Sequence, residues 1–147
     1  HSIARRQRQM CIRDRNVRIG CPEGFEPLPG VLEQAQSLTQ QGASIEVVTD
    51  PREAVAGAQA VYTDVWASMG QEAEQAQREQ AFAGFCVDQE LMEQAAADAI
   101  VLHCLPAHRG EEISAEVIEG TASRIFDQAE NRLHAQQALL AVLMGGL

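Results

Sequence analysis

Three segments of this chain carry side chains that packing alone would not request. The first is Asp64-Val65-Trp66-Ala67-Ser68-Met69-Gly70-Gln71-Glu72, which contains the only Trp. Asp64 is a carboxylate suited to an amine, although a turn would also accept it. Ser68-x-x-Gln71 fits a capping box that opens a helix. It equally fits a loop whose backbone amides clamp a carboxylate, with Gly70 lending mobility. The second segment is His103-Cys104-Leu105-Pro106-Ala107-His108-Arg109-Gly110-Glu111-Glu112. A lone cysteine is most often a buried, inert side chain. Cys104, however, shares its turn with His103, His108 and Arg109, and positive neighbours lower a thiol's pKa. Zinc held by Cys104 and His108 is a competing assignment, but the four-ligand spacing it needs is absent. The third segment, Asp127-Gln128-Ala129-Glu130-Asn131-Arg132-Leu133-His134, reads as a helix start capped by Asp127 and Glu130. Arg132 lies off the apolar stripe of that helix (Ala129, Leu133, Leu140, Met144). It is either an ordinary surface residue or a bidentate ligand for phosphate or carboxylate.

These segments must be positioned by a scaffold, and the pattern around them supplies one. Short β-rich runs occur at Val17–Gly20, Ile45–Val48, Ala60–Thr63, Ile100–His103 and Arg124–Phe126. Ala-, Gln-, Glu- and Leu-rich helical stretches fall at about 29–41, 51–57, 71–83, 88–97, 114–119 and 128–144. Strands alternating with helices predict an α/β fold: one Rossmann-like domain with a doubly wound, three-layer αβα parallel sheet. Ligands of such sheets bind beyond the carboxyl ends of the strands, which is where all three polar segments begin.

Composition narrows the function. The chain has 147 residues, 46% hydrophobic and 4% aromatic, so its core is aliphatic and sized for one domain. No apolar run approaches the roughly 20 residues that span a bilayer, and no secretory signal is visible, which predicts a cytoplasmic protein without membrane contact. Residues 1–18 hold six Arg and one Asp, a net +5; the rest hold five Arg and 20 acids, a net −15. The acidic body argues against nucleic acid as a partner. Four cysteines (Cys11, Cys21, Cys86, Cys104) without a CxxC pair suggest reduced thiols. The Arg-rich stretch 1–15 fits nothing after it and reads as an irregular leader.

Taken together, DVWASMGQE at Asp64–Glu72, HCLPAHRGEEI at His103–Ile113 and FDQAENRLHAQQALL at Phe126–Leu140 closely resemble the ornithine carbamoyltransferase family. CPEGFEP at Cys21–Pro27 adds weaker support, and the likeness runs from about Asn16 to the C-terminus. The resemblance implies transfer of a carbamoyl group from carbamoyl phosphate to the δ-amine of L-ornithine, giving citrulline and phosphate. It implies no metal or organic cofactor. Asp64, Ser68 and Met69 would then hold the amino-acid end of ornithine. Cys104 and Leu105 would lie at the reacting centre, before a cis Leu105–Pro106 bond, and Arg132 would contact carbamoyl phosphate.

The family's N-terminal S-T-R-T-R loop and H-P-x-Q segment do not occur in this sequence. The resemblance therefore assigns residues 16–127 to the ornithine-binding domain of a homotrimeric enzyme. It assigns 128–147 to a helix that packs on the carbamoyl-phosphate domain. A non-catalytic amino-acid-binding module and carbamoyl transfer to putrescine are the alternatives. An SMG loop suited to an α-carboxylate argues against the second.

Overall fold

Four of the five apolar runs are strands in the computed structural model, which describes residues 15–39, 42–67 and 74–145. Most of the Arg-rich leader, the capping-box pair Ser68 and Gln71, and Met69 lie outside the described residues. The chain divides into two compact units, His1–Ala54 and Val55–Leu147. The described strands form two two-stranded parallel sheets, the first strand with the second and the third with the fourth in chain order. Parallel strands joined by helices nevertheless keep the chain in the α/β class with a Rossmann-like character.

In the first unit, β1 (Val17–Gly20) pairs with β2 (Ile45–Val48) from Val17↔Ile45 to Gly20↔Val48. A parallel pair needs a long crossover, and α1 (Pro29–Leu38) provides it. Pro29 opens α1 because its fixed φ suits a first helical turn and its missing N–H has no partner to lose there. Asn16 Oδ1 accepts from Ser44 N at 3.1 Å, tying together the starts of the two strands. After β2, Asp50 Oδ1 accepts from Arg52 N at 2.8 Å and so starts α2 (Pro51–Val55). Among the described residues of this unit, Val17 and Arg18 are exposed and Cys21 is the buried apolar residue.

The second unit holds the aliphatic core. In it, β3 (Ala60–Thr63) pairs in parallel with β4 (Ile100–His103), from Ala60↔Ile100 to Thr63↔His103. Around them lie α3 (Gln75–Ala81), α4 (Gln89–Met92), α5 (Ala115–Ile118) and α6 (Ile125–Leu143). Asp88 caps α4 by accepting from Leu91 N at 2.8 Å, and Ser114 caps α5 by accepting from Val117 N at 3.3 Å. Val61, Val87, Leu91, Val101, Ile113, Val117, Ile118 and Ile125 pack into one cluster. Ring stacking of Trp66 on Phe82, centroids 5.9 Å apart, adds aromatic area.

The expected fifth strand, Arg124–Phe126, is not a strand. Its segment gives one bridge, Val101↔Ser123, and Ile125 already opens α6. A three-residue window with Ile and Phe reads as β, but the helix-forming run behind it decides the outcome. Starting the helix here buries Ile125 completely and turns Gln128 and Ala129 to the same inward face. The cap shifts accordingly. Arg124 is the N-cap, without a side-chain capping hydrogen bond, and Asp127 lies inside the first turn, where its charge suits the helix dipole.

Beyond that turn α6 is exposed on every side from Glu130 to Leu140. Leu133, Leu140 and Met144 of the expected apolar stripe point outward, with Leu139, Val142 and Leu143 beside them. Among the described residues, it is the start of the helix that is buried in the core. Ile125→Ala is therefore expected to destabilise the second unit by about 2–5 kcal/mol, whereas Leu140→Ala stays within about 0.5 kcal/mol of wild type. Urea denaturation followed by Trp66 fluorescence measures both; equal losses would contradict the burial assigned to α6.

Candidate active site at the ends of two parallel strands

Register builds the site. Because Thr63 and His103 are partners at the ends of parallel β3 and β4, the next residues, Asp64 and Cys104, emerge side by side. Their side chains touch: the Cys104 thiol donates to Asp64 Oδ1 at 2.9 Å. The same carboxylate oxygen accepts from Val65 N at 2.7 Å, which holds the turn after β3. Asp64 is exposed and Cys104 half-buried, so the pair sits at an open rim.

The third group arrives from α6. Ile125 anchors the helix, Gln128 follows one turn on, and Arg132 one turn beyond that, all on one face. Gln128 Oε1 accepts from His103 N at 3.2 Å, and its Nε2 donates to the Tyr62 hydroxyl at 3.1 Å. The helix face is thereby fastened to both strand ends. Arg132 Nη1 then donates to the Cys104 carbonyl at 3.2 Å. Carboxylate, thiol and guanidinium, far apart in sequence, converge around Cys104.

The loop after β4 is tied from inside. His103 and Glu112 are both fully buried, and Nε2 of the ring lies 3.0 Å from Glu112 Oε1. His103 Nδ1 accepts from Leu105 N at 2.8 Å, which places the ring proton on Nε2, facing the carboxylate. Glu112 Oε1 also accepts from His108 N at 2.7 Å. Leu105 has φ 57, a left-handed conformation that costs a non-glycine residue on the order of 1 kcal/mol. The Leu105–Pro106 bond is cis, as the resemblance implies.

The electrostatics of the thiol reverse the expectation from sequence. The neighbours expected to activate it are turned elsewhere: His103 faces the Leu105 amide and Glu112, His108 lies 3.4 Å from Glu111, and Arg109 pairs with Glu119 at 2.8 Å. Burial, then the hydrogen bond and charge of Asp64, push the Cys104 pKa up, opposed by a backbone hydrogen bond and the Tyr62 hydroxyl. Cys104 is thus a protonated donor and a poor nucleophile at neutral pH. Cys21, Cys86 and Cys104 are all free thiols.

Among the described residues, the side chains close enough to share an ion are His108, Glu111 and Glu112, without Cys104. Ser68 and Met69 lie outside the described residues. Sequence reasoning missed Gln128, Tyr62 and Glu112 as parts of the site. The adjacent pair Glu111-Glu112 at the end of a loop rich in His and Arg was the available signal for a buried acid.

Comparison with known proteins shows the family. The family described as aspartate/ornithine carbamoyltransferase, Asp/Orn binding domain, matches residues 8–143. A protein from Parasynechococcus marenigrum named ornithine carbamoyltransferase is 83% identical over 132 residues, covering 90% of this chain and 42% of its own length. One of the same name from Prochlorococcus marinus (strain MIT 9313) is 71% identical over an equal span. The solved ornithine carbamoyltransferase of Pyrococcus furiosus is 47% identical with a TM-score of 0.80, over 90% of this chain and 43% of that one. This chain thus spans under half the length of the relatives it matches. It belongs to the aspartate/ornithine carbamoyltransferase family and corresponds to the Asp/Orn-binding domain.

Proposed function

We propose that this chain supplies the ornithine-binding half of a carbamoyltransferase that converts L-ornithine and carbamoyl phosphate to L-citrulline and phosphate. The observation that carries this reading is the convergence of Asp64, Cys104 and Arg132 at one rim. Ornithine reaches the site as an ammonium, and only the neutral amine attacks. Asp64 accepts a hydrogen bond or proton from that amine, and Cys104, still protonated, orients it in place of acting as a covalent nucleophile. No thioester is needed, because carbamoyl phosphate is already an activated acyl donor.

Arg132 faces the charge that develops on the carbonyl oxygen and on the departing phosphate. Leu105 offers its carbonyl to the reacting centre, and Ser68 and Met69 hold the α-amino and α-carboxylate end. One guanidinium is too little for a phosphate dianion. The phosphate-binding loop therefore belongs to a second half, onto which the outer apolar face of α6 packs. In this reading the enzyme is a cytoplasmic homotrimer that uses no metal or organic cofactor and binds neither nucleic acid nor membrane. No helix of the described residues is long and apolar enough to cross a membrane.

Two measurements test the reading. The 147-residue chain alone is expected to make no citrulline, and fusion to the N-terminal half of a cyanobacterial relative restores turnover. In that fusion, Arg132→Ala is expected to lower kcat by about 10²–10³. Turnover by the isolated chain at a normal rate would refute the division between halves. The second measurement concerns the thiol. Asp64 helps the folded protein hold the Cys104 proton, so Asp64→Asn moves the onset of alkylation to lower pH. Burial still acts in the variant, so the shift is partial. Peptide mapping after iodoacetamide treatment reads Cys104 against Cys86; an unchanged Cys104 profile would deny the contact.

A further inference from the structure

We propose that the buried His103–Glu112 pair is the positioning device for the Cys104–Leu105 segment of the site. The inference rests on the carbamoyl-transfer reading only for what that segment does, not for how it is held. Four bonds form one relay. Gln128 Oε1 accepts the His103 backbone N–H at 3.2 Å, and the His103 ring faces Glu112 Oε1 at 3.0 Å. His103 Nδ1 accepts the Leu105 N–H at 2.8 Å, and Glu112 Oε1 takes the His108 N–H at 2.7 Å. Both bonds to Glu112 fall on Oε1, and Oε2 has no hydrogen-bond partner among the described residues.

The logic of the relay is that of an orienting carboxylate. Glu112 fixes the imidazole as the Nε2–H tautomer, which leaves Nδ1 a bare acceptor. That acceptor holds the Leu105 amide while Leu105 keeps its left-handed φ of 57. With the amides of Leu105 and His108 both fixed, the direction of the Cys104 side chain and of the Leu105 carbonyl follows. Neither His103 nor Glu112 reaches solvent, so they act on the site through the backbone. They are positioning residues.

The test uses the 147-residue chain and needs no turnover. Nitrogen-15 NMR of the His103 ring is expected to show protonated Nε2 and bare Nδ1. In Glu112→Ala the ring loses its acceptor, and the Leu105 and His108 amides are expected to exchange with solvent about tenfold faster. Amides of Val101 and Ile118 should stay protected, which separates local loosening from unfolding. His103→Leu should release the Leu105 amide alike. His103→Asn carries an oxygen near the Nδ1 position and should rescue its protection.

A ring protonated on Nδ1 in the wild-type chain would overturn the proposal. So would unchanged Leu105 exchange in a folded Glu112→Ala or His103→Leu variant, or no difference between His103→Asn and His103→Leu. Should the relay behave as described while the fused enzyme makes no citrulline, the carbamoyl-transfer reading falls and the positioning role stands.

Discussion

The site depends on one register. Thr63 and His103 are partners in a parallel ladder, so the chain leaves both strands at the same level and in the same direction. A slip of one residue would turn either Asp64 or Cys104 to the opposite face, because side chains alternate along a strand. The register is protected by what lies behind it: Val61 and Val101 are both buried, and moving either strand by one place would expose them. Apolar packing, not any bond within the site, decides that a carboxylate meets a thiol.

The last helix works on the same terms. Its first residue fills the core, its next inward position brackets two strand ends, and the one after that delivers Arg132 to the Cys104 carbonyl. An arginine on an acidic body of net −15 is drawn to many carboxylates, and its placement needs more than charge. The helix supplies that placement by geometry, through the spacing of Ile125, Gln128 and Arg132.

The extent of what could be read from the chain follows from range. The four strands and six helices of the described residues were legible because each is a local pattern of apolar residues between turn signals. Arg124–Phe126 misled because Ile and Phe look alike in a strand and at a buried helix start, and only the long run after them separates the two. At the site, residue types pointed to the loops after β3 and β4, where Asp64 and Cys104 meet. That Asp64 touches Cys104 is a contact across forty residues, which no local spacing encodes. The direction of the thiol's shift was misread for a related reason. His103, His108 and Arg109 are neighbours of Cys104 in sequence, yet each is turned to another partner.

A sulfur atom in an open cleft is usually a hazard, because peroxides and other electrophiles attack the thiolate and carry it to sulfenic acid and beyond. Burial and then the neighbouring carboxylate hold the proton on the Cys104 sulfur, and a protonated sulfur reacts slowly with oxidants. Slow oxidation of this thiol is thus the expected consequence of how the rim is buried and charged.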